Sequence, residues 1–248
     1  MAELKGKTVV IVGGAGLLGS AFSRACALAG ARVVIADSNE KMASALANEI
    51  SATFEKIDVS DPQSILDLSM RVGKTDGVVN AAYPKTKNFG RSFADAEIHD
   101  MLADLSLQVG GCLSIMKAFA PLMQKQKGGS IVFLGSIYGV VAPRFDIYKG
   151  TKMTIPAEYA AIKGAAIMLA KYFASLFGND GIRVNSISPG GISDGQPESF
   201  VAEYSKHLKM GTGLLAPSDI AGAVVFLLSD SSKNMTGQNL VVDGGWSL

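Results

Sequence analysis

The sequence predicts an α/β fold in a single domain: a doubly wound, seven-stranded parallel sheet with helices on both faces. Three observations carry this. Short apolar runs alternate with helical patterns from one end of the chain to the other. The runs are apolar throughout rather than on every second residue, as strands buried on both faces must be. Finally, 248 residues with 48% apolar and 18% charged side chains suit one large core, and no repeat, low-complexity stretch or linker divides them.

The strands are expected at 8–12, 32–36, 53–57, 77–80, 130–134, 182–187 and 239–242. A helix over 17–29 stops at Gly30, and a second covers 40–50. Pro62 opens a third, because the first turn tolerates a missing N–H. Longer helical patterns run over 94–126, with a break expected near Gly110-Gly111, then 157–177 and 218–228. Right-handed crossovers would join the strands, placing any ligand crevice at their carboxyl ends.

Bulk properties exclude several classes of function. A net charge of +1 gives no reason to expect nucleic acid or an anionic membrane as partner. No apolar run approaches the ~20 residues of a membrane span, and the first residues, Met1 to Lys7, lack an apolar signal core. A cytoplasmic location is therefore expected. Cys26 and Cys112 fall in helical patterns without clustered His or Cys, so they read as packed thiols, with neither disulfide nor metal site expected.

The first strand runs into Val12-Gly13-Gly14-Ala15-Gly16-Leu17-Leu18-Gly19. Glycines there permit a tight turn and let backbone N–H groups of Gly13, Gly16, Leu17, Leu18 and Gly19 approach a pyrophosphate at a helix N-terminus. Asp37 closes the second strand. A carboxylate at that point accepts hydrogen bonds from both adenosine-ribose hydroxyls and repels a 2′-phosphate. With Lys41 the nearest cation, NAD is expected in preference to NADP. Asp58, closing the third strand, and Val59 after it are candidates to face the adenine, helix capping near Asp61 being the competing role. Asn80-Ala81-Ala82, ending the fourth strand, would lie against the cofactor or form a plain small-residue turn.

Two Tyr-x-x-x-Lys pairs occur, Tyr148/Lys152 and Tyr159/Lys163. On a helix, positions i and i+4 share a face, so an ammonium beside the phenol would lower its pKa from about 10 and fit it for proton transfer. The first pair contains Gly150 and is followed by Pro156, which breaks a helix through Lys152. The second opens an Ala-rich helical pattern, so Tyr159/Lys163 is the better pair.

Together these residues resemble the short-chain dehydrogenase/reductase family over essentially the whole chain. Further matching stretches are Val79 to Ala82, Ser130 to Ser136, Ile182 to Gly191, and Thr236 to Gly245. The spacing from Lys163 to Asn185 fits the family; that from Lys152 does not. The resemblance implies a Rossmann-like domain and a role for each matching residue. Ser136 would bond the reacting carbonyl or hydroxyl, Tyr159 would transfer the proton, and Lys163 would lower the tyrosine pKa and bind the nicotinamide ribose. Pro189, Gly190 and the backbone of Ile192 would border the nicotinamide. It also implies a homotetramer or homodimer through the long helices near Ala94 and Ala157.

The chain departs from the family pattern at four points. Val12 replaces the usual Thr, the glycines follow the spacing of the longer-chain, nucleotide-sugar branch, Gln108 stands at the proton-relay Asn position, and Ser193-Asp194 replaces the Thr after Pro-Gly. The stretch over 137–158 is also longer than usual and holds Arg144, Tyr148, Lys149, Lys152 and Met153. Arg144, Tyr148, Lys152 and Met153 are candidate substrate contacts at the rim, ordinary surface charge being the alternative. With the Gly-Gly-Ala-Gly-Leu-Leu-Gly turn, the insertion resembles a bacterial subgroup acting in flagellin and surface-glycan sugar pathways. The stretch 193–213, with a short helical centre expected over 198–208, reads as a lid or a rigid surface loop, with His207 expected to be exposed. The expected activity is hydride transfer between NAD(H) and a secondary alcohol or ketone on a carbohydrate-derived small molecule. The rivals are a 3-oxoacyl-thioester reductase and a non-catalytic dinucleotide-binding regulator.

Overall fold

In a computed structural model that describes residues 3–211 and 213–248, seven strands form one parallel sheet. They are β1 (Thr8–Val12), β2 (Arg32–Asp37), β3 (Thr53–Lys56), β4 (Gly77–Asn80), β5 (Gly129–Leu134), β6 (Ile182–Pro189) and β7 (Asn239–Val242). Their spatial order is β3-β2-β1-β4-β5-β6-β7. The chain starts in the middle, winds outward through β2 and β3, then returns to lay β4 against the other side of β1. Val12 pairs with Ala36 on one side and with Asn80 on the other. The connection therefore reverses direction between β1 and β4, and a crevice opens there at the carboxyl ends.

Alternate residues along each strand feed two cores. Val10, Val12, Val34, Val78, Ile131, Phe133 and Val184 face one way. They pack against α3 (Pro62–Val72), α4 (Ile98–Lys125) and α5 (Ala157–Phe177), chiefly through Leu68, Phe119, Met123 and Ala170. Val9, Ile11, Ile35, Val79, Val132 and Ile187 face the other way, against α1 (Leu17–Leu28), α2 (Glu40–Ile50) and α7 (Pro217–Leu228). Each fully buried side chain of this size contributes about 1.5–3 kcal/mol of transfer free energy.

Three expectations change. The helix before β5 begins at Ile98, not near residue 94, and runs unbroken through Gly110 and Gly111. A helical glycine costs only about 1 kcal/mol against alanine, less than the burial that keeps Cys112, Ile115, Met116 and Phe119 in register on the sheet. By length and apolar composition α4 and α5 do reach the range of a membrane span. Their buried faces rest on the sheet, as core helices do. The short helix α6 (Glu198–Ser205) also stops three residues before Leu208.

Candidate active site

At the end of β1 the chain turns at Gly13, whose φ of +73° favours glycine. A Cβ there would sit 2.6 Å from the Ala82 backbone, and one on Gly19 would overlap the Gly13 carbonyl. These glycines hold the end of β1, the start of α1 and the Asn80-Ala81-Ala82 turn in backbone contact, with Ala81 N–H bonded to the Val12 carbonyl. Gly16 is the N-cap of α1, and neither a side-chain cap nor an acidic residue occupies its first turn. Among the described residues no chain group accepts the N–H groups of Leu17, Leu18 and Gly19. Such N–H groups, at the positive end of a helix dipole, are acceptor-seeking and suit a pyrophosphate.

Asp37 stands beside this turn. Its two carboxylate oxygens accept from the N–H groups of Ala15 and Asn39, each at 2.9 Å. Those bonds fix the carboxylate and leave lone pairs for further donors. Asp58 lies beyond β3 rather than closing it. Its carboxylate accepts from the backbone and hydroxyl of Ser60, which hold it below the usual range. Capping of α3 falls to Asp61, which leaves Asp58 without that role. Val59 packs beside the core under β1 and β2. Asn80 is buried, with its amide toward the Cys112 thiol. Both cysteines are buried and free, and burial pushes the Cys26 thiol to about 12. Among the described residues no His, Cys, Asp and Glu cluster could hold a metal ion.

Ser136 follows β5 and caps a short 3₁₀ turn, Ile137–Gly139, its hydroxyl accepting from Tyr138 N–H. That turn lies directly on α5: a Cβ on Gly139 would fall 2.7 Å from the Lys163 backbone. The contact brings Ser136 to the first turns of α5, which carry Tyr159 and Lys163. Pro156 starts that helix, as the sequence predicts, while the rival pair is split between a 3₁₀ turn (Phe145–Tyr148) and the loop beyond Gly150, whose φ is +76°.

The Lys163 ammonium is buried, donates to the Leu134 carbonyl at 3.1 Å, and lies 5.6 Å from the centre of the Tyr159 ring. The expected lowering of the tyrosine pKa by this lysine is corrected here. Burial raises the Tyr159 phenol, and hydrogen bonding with Ser136 is what opposes the rise. Desolvation of the phenolate is the larger of the two effects, so the phenol stays above its ordinary value. Gln108 is buried on α4, and its amide nitrogen has no partner among the described residues.

Pro189 ends β6, and Gly190 and Gly191 pass so close to Tyr204 that side chains there would collide with it. Gly191 N–H donates to the Tyr204 hydroxyl at 2.6 Å, and Ile192 pairs with Leu215. Ser193 and Asp194 are exposed. On the substrate side the candidate residues separate. Tyr148 is buried, bonded to the Tyr138 hydroxyl and packed on Phe200; Met153 joins the same aromatic cluster. Arg144 and Lys152 are exposed, with the Arg144 guanidinium over the Trp246 ring. His207 is half-buried, edge-on to Trp246, rather than exposed. The stretch 193–213, of which residue 212 lies outside the described residues, is tied to the tail: Lys209 and Met210 donate to the Gly244 carbonyl, and Tyr204 stacks on Trp246.

Four site residues escaped the sequence reading. Tyr138, Tyr204 and Trp246 cluster with Tyr159, and the Tyr83 and Tyr159 rings meet edge-to-face at 6.2 Å. Trp246, the chain's one tryptophan, could have drawn notice by its place next to the Gly244-Gly245 tail motif.

A strand-end crevice with a glycine turn, an aspartate at the end of the neighbouring strand and a Ser-Tyr-Lys constellation defines a nicotinamide-dependent oxidoreductase. Comparison with known proteins gives the family. A family model described as enoyl-(acyl carrier protein) reductase matches residues 14–247. The chain is 35% identical to post-translational flagellin modification protein A of Campylobacter coli, covering 99% of this chain and all of that one. It is similar to a short-chain dehydrogenase from Leptospira borgpetersenii with bound NAD+, at 30% identity and TM-score 0.87, covering 99% and 94% of the two chains. A gluconate 5-dehydrogenase from Burkholderia cenocepacia in complex with NADP and tartrate aligns at 28% identity and TM-score 0.87, covering 99% and 97%. The chain belongs to the short-chain dehydrogenase/reductase family and is an enzyme of the dehydrogenase/reductase kind.

Burial holds the Lys163 amine down at about 8, from an ordinary 10.5. Below pH 8 the folded protein carries a charge that the unfolded chain solvates better; between 8 and 10.5 the unfolded state binds more protons, and stability rises with pH. Lys163→Met should therefore stabilise the fold at pH 7, by up to about 3 kcal/mol. The gain should shrink above about pH 8 and vanish above 10.5. Denaturant titrations of both proteins across this range check the sign.

Proposed function

We propose that this chain is an NAD(H)-dependent dehydrogenase that interconverts a secondary alcohol and a ketone on an anionic, carbohydrate-derived substrate. The observation that carries the reading is the Ser136–Tyr159–Lys163 constellation, fixed by the contact of Gly139 with α5.

Gly13, Gly16, Leu17, Leu18 and Gly19 would hold the pyrophosphate, and Asp37 the adenosine ribose. Asp58 and Val59 would lie toward the adenine. Asn80, Ala81, Ala82, Pro189, Gly190 and Ile192 would border the nicotinamide half. When bound, the nicotinamide supplies the hydride acceptor or donor. In oxidation Ser136 holds the substrate hydroxyl and Tyr159, as phenolate, takes its proton. Lys163 keeps positive charge beside the phenolate and offers its free N–H donors to the ribose. Gln108, its amide nitrogen unpaired and buried on α4, would order the proton path. In reduction the same proton returns to the carbonyl oxygen.

Asp37 supports NAD over NADP: its carboxylate, held at the end of β2 by two backbone N–H groups, would accept from ribose hydroxyls and repel a 2′-phosphate. An anionic substrate is supported by cations on the two loops that flank Tyr159: Lys85 lies 5.7 Å from the Tyr83 ring, and Arg144 lies 5.3 Å from Trp246. The likeness to a flagellin modification protein points to a sugar derivative rather than an acyl thioester. Met168, Tyr172 and Leu176 form an exposed apolar row on α5, and Leu102 and Leu113 are exposed on α4. Burying these rows against a second copy would make the homodimer or homotetramer.

Tyr159→Phe should lower kcat by roughly 10²–10⁴-fold, the usual worth of general acid–base catalysis. NADH affinity, read by fluorescence titration, should be unaltered; normal turnover would refute the role. Asp37→Ser should shift the NADP/NAD ratio of kcat/KM toward NADP by about tenfold or more, the loss of roughly 1.4 kcal/mol of discrimination. An unmoved ratio overturns the cofactor assignment. Met168→Glu should reduce the sedimenting mass, and an unchanged mass would remove α5 from the interface.

A further inference from the structure

We infer that Tyr83 is a positioning residue for the proton-handling pair: its ring face covers the Lys163 ammonium at 5.3 Å while its edge meets the Tyr159 ring at 6.2 Å. The inference rests on the reading of Tyr159 and Lys163 as that pair.

The lysine needs such a neighbour. It is buried, and among the described residues no carboxylate pairs with it. Of its three N–H donors, one is taken by the Leu134 carbonyl. An aromatic face within about 6 Å stabilises a cation, more strongly where water is excluded. Tyr83 and Tyr159 supply two such faces, at 5.3 and 5.6 Å. One belongs to a reacting group; the other does not.

Tyr83 is also held in place, although it is partly exposed. It follows the Asn80-Ala81-Ala82 turn, which the Gly13 backbone touches. Phe89 packs edge-on against it at 5.7 Å. Beyond it, buried Asp104 on α4 accepts from both the N–H and the hydroxyl of Thr86, pinning the loop to the helix. The groups around the lysine are the Cys112 thiol on α4, the Leu134 carbonyl on β5, and the Tyr83 and Tyr159 rings. Around Tyr83 are Tyr159, Asp104, Glu158 and, at the outer side, Lys85. The thiol and both phenols that meet here are poor acids, raised by burial, so Lys163 itself is the group whose charge the Tyr83 ring governs.

The test reads the lysine directly. The full chain is prepared with ¹³Cε-lysine, the Lys163 signal is assigned by its absence in Lys163→Arg, and its titration midpoint is followed in wild type, Tyr83→Phe, Tyr83→Leu and Tyr83→Met. Phe keeps the ring and should keep the midpoint. Leu and Met lose it, and the midpoint should fall by roughly 0.5–1.5 pH units. The two apolar variants guard against one that does not fold. Apolar variants titrating with wild type, or Phe falling as far as Leu, would overturn the inference. Absence of turnover in wild type would instead refute the enzymatic reading and leave the midpoints unaffected.

Discussion

A positively charged amine kept almost free of water sets the terms for the rest of this crevice. Lys163 can be carried there only because α5 presses against the Ser136 turn, and that contact exists only because Gly139 has no side chain. The same contact sets Ser136 beside the Tyr159 phenol. Desolvation raises the phenol and lowers the amine, so two groups of nearly equal ordinary acidity are pushed apart. Environments that move proton donors and acceptors in this way are characteristic of sites that transfer protons.

Much of this was legible in the amino-acid order. Strands buried on both faces announce themselves as unbroken apolar runs, and β1, β4 and β7 fall on the predicted residues. The glycine turn, Asp37 and the choice between the two Tyr-x-x-x-Lys pairs also follow from local chemistry, since Pro156 suits the start of a helix better than its interior, whereas Ser136 came with the family resemblance. What stayed hidden depends on distant contacts. Gly110 and Gly111 look like a break until the burial gained by the helix around them is counted. The tyrosine's acidity depends on how much protein covers it, which no i, i+4 rule conveys.

The aromatic surroundings were the least legible part. Tyr138, Tyr148, Phe200, Tyr204 and Trp246 are scattered along the chain and carry no motif, yet they form one cluster against the Tyr159 ring. Tyr148 shows the hazard of reading position as role. It lies in the rim insertion, where substrate contacts are expected, but its hydroxyl bonds Tyr138 and its ring packs on Phe200. The exposed Arg144 and Lys152 of the same segment are the members free to meet a ligand.

The reversal of winding between β1 and β4 has a kinetic consequence. Joining Val9 to Gly77 requires β2, α2, β3 and α3 to be bridged by a long closure, so this ladder pays its chain entropy before it gains burial. The crevice lies on that seam, with its glycine turn contributed by one half of the sheet and Ser136, Tyr159 and Lys163 by the other. Neither half alone presents a binding surface. During refolding, cofactor-competent molecules should therefore emerge late, with the docking of the two half-sheets, rather than with the first appearance of helix.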